Sequence, residues 1–461
     1  MQPWNSTPTK AKQSILTIAD GVNRSFESIE IKESECVSAS NLDSSLYPTV
    51  TTISGVRMFS QLNGVISKIF KYQDELYVTN GSGLYRQAGE FFSNVYAQPN
   101  NDQTIWDASL FFDGSKMYFT DGVSQLKKYS GNQLTTVADS PDYGAFVTTH
   151  ANRFFIAKRI SNELRFSALR EPENWSSTEK YTGSGTIVVE TPDGEKPTAL
   201  TTFGDQVILF KKYTMHKLYG EDPTNFTMAQ PYGVGCISDK SVVVTRDALY
   251  FLGIDGFYVY QGGLSPIKIS DPIKNYISIM NPTQQNCAGY DGRFIYLSLC
   301  TSGSLSPNIT LKYDTQGGRW WALSYVATAF YLDGIRLYGG TNDGRIVVMN
   351  ESLNILNAPI TWSIELKPFS DEDETIRKVI NKLWVVSDLD PGSSLKIEYA
   401  PGTEGGTWTS VYSNTNGSGV IDTQTIPVIV RVPDRWFRIR MSGTGKVKIH
   451  RLIRETARRG N

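Results

Sequence analysis

Residues 247–263 hold two short apolar runs, 249–252 and 257–260, separated by Asp255-Gly256 and closed by Gly262-Gly263. That pattern predicts two strands joined by a tight turn, because Gly takes φ > 0 without steric cost and Asp tolerates it. The same figure, an aromatic-rich run, a polar turn and a second run, recurs at 75–86, 116–129, 153–167, 206–219, 293–314 and 335–349. With Leu76, Tyr118, Phe155, Val207, Tyr250, Ile295 and Leu337 as markers, the steps run from about 37 to about 52 residues and average about 43. This is the length of a four-stranded propeller blade. The expectation is an all-β chain with a β-propeller of about seven blades over 53–357. A two-sheet sandwich also gives regular hairpins. Each repeat here, however, has room for about two further strands, with candidates at 68–72, 241–245 and 320–324.

From 358 the pattern changes. Seven short strand candidates, 360–369, 382–387, 395–400, 408–412, 426–432, 436–441 and 446–452, lie between Gly-rich turns and predict a C-terminal β-sandwich over 358–461. Trp384, Trp408 and Trp436 lie in or beside these candidates and are expected in its core. Residues 1–52 form an N-terminal arm with one alternating piece, 26–32, and too little apolar surface for a core. The arm is expected to pack along the propeller, close its ring or bind a neighbouring subunit. The basic stretch 451–459 reads as a solvated terminus rather than a docking or DNA-contacting segment. The widest repeat, between Phe155 and Val207, carries two turn-rich stretches, 170–176 and 191–197, which are expected to form long loops of the kind on which partners dock.

Hydrophobic residues make up 40% and charged residues 20% of the chain, so the composition points to neither a disordered nor a membrane protein. No run of about 18 apolar residues predicts a membrane span. The first eight residues lack the charged and apolar regions of a signal peptide, which predicts use without secretion. A net charge of −1 provides no global field for nucleic acid. Any DNA affinity of the isolated chain is expected to be weak and abolished by moderate salt.

Candidate chemistry is sparse. His150, His216 and His450 fall in different units, and Cys36, Cys236, Cys287 and Cys300 have no metal-ligand spacing, so no catalytic, cofactor-binding or metal residues are assigned and no cofactor is expected. The cysteines read as reduced core thiols. The Asp-Gly pairs at 113, 121, 193, 255, 291, 333 and 343 read as turns, since none sits in a D-x-D-x-D calcium pattern. Gly81-Ser-Gly83 begins like a dinucleotide loop, but Arg86 stands where the third glycine belongs. The acidic run 370–375 lacks the burial that separates two carboxylate pKa values.

The order of certain segments adds to this reading. Asn152-Arg-Phe-Phe-Ile-Ala-Lys158, Arg165-Phe-Ser-Ala-Leu-Arg-Glu-Pro-Glu-Asn-Trp175, Pro197-Thr-Ala-Leu-Thr-Thr-Phe-Gly-Asp-Gln-Val-Ile-Leu-Phe-Lys211, Tyr219-Gly220 and Gly233-Val-Gly235 follow one another. They are succeeded by Arg293-Phe-Ile-Tyr-Leu297, Lys312-Tyr-Asp314, Trp320-Trp321, Trp436-Phe-Arg-Ile-Arg-Met-Ser-Gly443 and Val447-Lys-Ile-His-Arg451. This series resembles the tail hub or nozzle proteins of short-tailed bacteriophages, also called packaged-DNA stabilisation proteins. The resemblance implies a non-enzymatic virion protein that forms a ring, in most such tails a hexamer, below the portal and its adaptor. Such a ring extends and closes the DNA channel, lets DNA pass without sequence recognition and docks fibres, tailspikes or a tip. A carbohydrate-binding or glycan-cleaving propeller is the alternative, motivated by the Trp and Tyr content.

Overall fold

The computed structural model describes residues 12–97, 107–110, 114–130, 133–229, 232–370 and 374–458. The chain is all-β, with 54% strand and 3% helix, and its strands fall into nine small sheets. Seven of these contain a four-stranded antiparallel meander, numbered here as sheets 1–7 in chain order. Sheet 1 begins at Ile66–Tyr72, sheet 2 at Asp107–Leu110, sheet 3 at Gly144–His150, sheet 4 at Ala199–Phe203, sheet 5 at Val243–Val244, sheet 6 at Cys287–Tyr290 and sheet 7 at Ala329–Asp333. All seven marker residues lie on the second strand of a different sheet, and each predicted hairpin is the pairing of second strand with third.

Those second strands read as unbroken apolar runs because both of their faces are covered. In Gln206–Phe210, Val207 and Leu209 join a cluster with sheet 3, whereas Ile208 and Phe210 join one with sheet 5. In Leu249–Leu252 the odd positions face sheet 4 and the even ones sheet 6. Every pair of successive sheets shares such a cluster. The series also returns to its start, where Ile66, Ile69, Leu76 and Val78 of sheet 1 pack on Ala329, Tyr338, Ile346 and Val348 of sheet 7. At about 1.5–3 kcal/mol per buried large apolar side chain, the interfaces between sheets hold the assembly together. Sheet 7 takes its fourth strand, Gly55–Gln61, from just before sheet 1, paired antiparallel with Arg345–Ser352.

The two remaining sheets combine both ends of the chain. Sheet 8 runs Leu42–Leu46, Thr49–Thr52, Val447–Arg458, Lys378–Leu389, Asp422–Asp434, with Lys12–Leu16 also paired to Val447–Arg458. Sheet 9 runs Cys36–Ser40, Thr361–Leu366, Phe437–Thr444, Ser394–Pro401, Thr409–Thr415. All seven C-terminal strand candidates are present, and one core draws on both sheets, including Ile18, Cys36, Leu42 and Val50 from the N-terminal stretch. The stretch read as an arm therefore supplies strands and core residues to the C-terminal sheets, and 55–359 is inserted between the two parts of that unit. The stretch 451–458 is not a solvated terminus. It is part of an interior strand of sheet 8, and Arg454 is buried over the Phe369 ring, 3.9 Å from its centroid, with Glu33 beside it. Residues 1–11, Asp113, 371–373 and Arg459 lie outside the described residues.

The expected core tryptophans face outward. Strand alternation sends Leu383 and Val385 into the core, leaving Trp384 half-buried on the opposite face; Trp408 lies under Arg438 and Arg440, and Trp436 is half-buried. The core indole between these sheets is instead Trp362, joined by Trp321 from sheet 6. At Asp255-Gly256 the glycine serves a different purpose than expected: it gives room to neighbouring side chains. Gly256 does not have positive φ, but a Cβ there would stand 2.4 Å from Lys268 Cε and 2.7 Å from Ser270 Oγ. Gly122, Gly194, Gly292, Gly334 and Gly344 do take positive φ, as the turn reading requires.

A buried polar seam joins the inserted sheets to sheets 8 and 9. Lys312 Nζ donates to Asp43 Oδ2 at 2.6 Å with both side chains 4% exposed. Arg293 reaches the Ser44 and Ser45 carbonyls and Asp314, and Ser44 Oγ donates to Asp314 Oδ2 at 2.7 Å. Burial alone would raise the Asp43 pKa, but the Lys312 charge and the Lys312 and Ser45 hydrogen bonds outweigh it and hold the carboxyl below its usual range. Because the folded pKa is depressed, the stabilisation is complete above the ordinary carboxylate range and is lost as pH falls through the depressed value. Replacing Lys312 by Met strands the Asp43 charge and is expected to cost about 3–5 kcal/mol in chemical denaturation at neutral pH. The double change Asp43→Asn, Lys312→Met should cost clearly less, and a double-mutant cycle without coupling would contradict the seam's role.

Candidate assembly surface and shared cavity

The three histidines stay apart. His150 Nε2 bonds the Gly220 carbonyl, His450 pairs with Asp388 at 3.0 Å, and His216 is buried beside Thr214, its pKa lowered to about 4 by burial and by the Lys211 charge. Among the described residues no group of three His, Cys, Asp or Glu side chains could hold a metal. All four cysteines are free and buried, and burial raises the Cys300 thiol to about 11, which disfavours the reactive thiolate. The Asn80-Gly81-Ser82-Gly83 turn spends its amides internally: Asn80 Oδ1 accepts from the Ser82 and Gly83 N–H groups at 2.9 and 3.0 Å.

The loop of sheet 3 predicted as a docking element is held rigidly. Arg153 is fully buried and its guanidinium donates to the carbonyls of Ser167, Tyr181 and Gly183, so one side chain gathers both ends of the 167–184 connection. Burial pulls its pKa below the usual arginine value, against the attraction of Asp222. The loop then reaches sheet 2, where Glu173 accepts from Lys116, Lys128 and the Tyr118 hydroxyl, and Trp175 enters the cluster shared by sheets 2 and 3. Arg170, Lys180 and Tyr181 remain exposed on this fixed base.

On the outer face of sheet 8 the register aligns Ile15, Ile453, Trp384 and Pro427 across four strands. Directly paired residues of an antiparallel ladder share a face, so this is a continuous apolar row. Ile15 is 65% and Ile429 49% exposed, and the row is flanked by charges of both signs, with Lys382 opposite Glu455, Lys448 opposite Asp388, and Arg451. Pro427 lies on the edge strand, where its missing N–H discourages pairing with another strand. This surface is therefore suited to face-on rather than edge-on contact. Sequence pattern alone did not mark it, because 383–386 is apolar throughout and does not reveal which residues point outward.

Loops from sheets 1, 5, 6 and 7 border a partly open cavity of about 480 Å³. Many of its lining residues carry amides or hydroxyls, including Asn63, Ser82, Gln284 and Ser306, but the larger share of its surface is apolar; Leu305 is 80% exposed, and Lys240 is the one charged side chain among the described residues lining it.

No family model and no curated protein match the chain. Among solved structures, the extracellular domain of a one-component system from B. thetaiotaomicron is similar at 10% identity and a TM-score of 0.47, over 64% of this chain and 40% of that one. The computationally designed Ika8 protein is similar at 10% identity and a TM-score of 0.40, over 64% of this chain and 99% of that one. This chain thus spans well under half the length of the first.

Replacing Arg153 by Ala is expected to cost about 2–3 kcal/mol and to open 167–184 to limited proteolysis. Arg153→Lys should fail to rescue, because an ammonium cannot match the planar fork that reaches several carbonyls at once.

Proposed function

We propose that this protein is a structural subunit of a short-tailed bacteriophage tail, a hub or nozzle that assembles as a homo-oligomeric ring. In this reading sheets 1–7 are the blades of a β-propeller closed by Gly55–Gln61, and sheets 8 and 9 form a β-sandwich built from both ends of the chain. The ring stands below portal and adaptor, lengthens and closes the DNA channel and carries fibres, spikes or a tip.

The observation that carries the assembly reading is the apolar row on sheet 8. A Trp, two Ile and a Pro aligned across four strands lie outside the chain's own core cluster, and an apolar face of this kind rimmed by charged residues marks a protein contact. The collinear resemblance supplies the kind of assembly. Its segments fall at positions that organise the fold: Arg153 and Trp175 fix the sheet 3 loop, while Lys312, Asp314 and Trp321 form the seam. The rigid sheet 3 loop offers a second, separate docking surface. Glycan binding remains the second reading, favoured by the amide- and hydroxyl-lined cavity.

Trp384→Glu should leave the circular dichroism spectrum and thermal transition close to wild type, since the side chain is outside the core. It should sharply reduce ring formation, followed by light scattering of the protein alone and on isolated portal–adaptor complexes. Unchanged assembly by this variant would remove the sheet 8 face from the interface.

A further inference from the structure

The cavity between sheets 1, 5, 6 and 7 has the composition of a ligand site. Its volume of about 480 Å³ lies within the range of small-molecule pockets. Lys240 enters from the short turn Asp239–Ser241 that leads into sheet 5, and its ammonium donates to Gln285 Oε1. No carboxylate among the described residues stands within ion-pair distance of Lys240 Nζ, although ion pairs serve many other lysines of the chain. Burial pushes its pKa below the usual lysine value, against the opposing pull of Asp239. A partly desolvated cation whose one direct hydrogen-bond partner among the described residues is an amide, with Asp239 acting on it only through space, gains from an added anion.

The rest of the lining narrows the anion. Asn63 and Gln284 line the wall from different loops, those leading into sheets 1 and 6, and their side-chain amides form no hydrogen bond among the described residues. Ser306 is held in place by Asn342 Nδ2 at 2.7 Å. Leu305 and Pro307 supply an apolar flank suited to the face of a small ring. Amides with both donor and acceptor atoms match vicinal hydroxyls, and the single positive charge matches one acidic group.

We propose that this cavity binds an acidic sugar, a hydroxylated ring bearing one carboxylate or phosphate, with its anionic group on Lys240 and its hydroxyls on the amides of Asn63 and Gln284. The site shares no residue with the sheet 8 face, so loss of ligand binding and loss of ring assembly are distinguishable outcomes.

Titration calorimetry and ligand-observed NMR of the full chain with glucuronate, glucose 6-phosphate, glucose and inorganic phosphate test the proposal. The two acidic sugars should bind, and glucose and phosphate should each bind at least about tenfold more weakly, because each lacks one half of the recognition. Lys240→Met should weaken the acidic sugars by about 10- to 100-fold, whereas Lys240→Arg should retain most of the affinity. Asn63→Ala, at an exposed position where folding is not at risk, should reduce the preference for glucose 6-phosphate over phosphate. No detectable binding of either acidic sugar overturns the proposal. So does equal binding of glucose, which removes the charge from recognition, or equal binding of phosphate, which leaves an anion site without sugar selectivity. Affinity unchanged in Lys240→Met would place the ligand elsewhere.

Discussion

The seven small sheets are governed by one constraint: each has two apolar faces, so none is stable without a neighbour on either side. Tyr77 faces sheet 2 while Leu76 and Val78 face sheet 7; Phe155 faces sheet 4 while Phe154 and Ile156 face sheet 2. A linear stack would leave two such faces in water at its ends. Packing of sheet 7 on sheet 1 removes both, and Gly55–Gln61, bonded to Arg345–Ser352, fixes that packing covalently because the same strand leads directly into sheet 1. Glycines permit the close approaches involved: a Cβ on Gly340 would stand 2.3 Å from Ile66 Cγ2, where the last sheet meets the first.

The same strand fixes the relation of the two parts of the molecule. Immediately before Gly55 the chain belongs to sheet 8, and shortly after Arg345–Ser352 it enters sheet 9 through Thr361–Leu366. Ile355 pairs in parallel with Val56, so entry and exit run side by side. The buried Asp43–Lys312 pair and the Arg293–Asp314 network then hold the N-terminal strands against sheet 6. Isolated in the interior, either partner would be costly. Together they give the junction a geometry that apolar packing alone would leave free to slide.

Much of the fold was legible because strands covered on both faces give long apolar runs and polar turns at regular spacing. The seven markers found seven sheets, and the strand candidates after 358 correspond to Thr361–Leu366 and the six strands that follow it. What sequence pattern could not provide was partnership. Residues 12–52 look too poor in apolar residues for a core because their core is completed by strands from the far end of the chain. In Leu383-Trp384-Val385 every residue is apolar, so the strand period does not show which one turns outward. Arg153 and Lys240 carried no local signal either: each matters through groups brought to it by distant turns. Trp384 in particular was assigned to the core for its size and apolarity, the properties that make its half-buried place on the outer face informative.

In the proposed tail ring, subunits are held together by the apolar row on the outer face of sheet 8. Electron cryomicroscopy of intact virions carrying a label on the protein tests this most directly. The expected result is a closed ring of identical copies around the DNA channel below the portal, with Trp384 buried between a subunit and its neighbour. Absence of the protein from the tail, or copies at the tail whose Trp384 faces solvent, would contradict it.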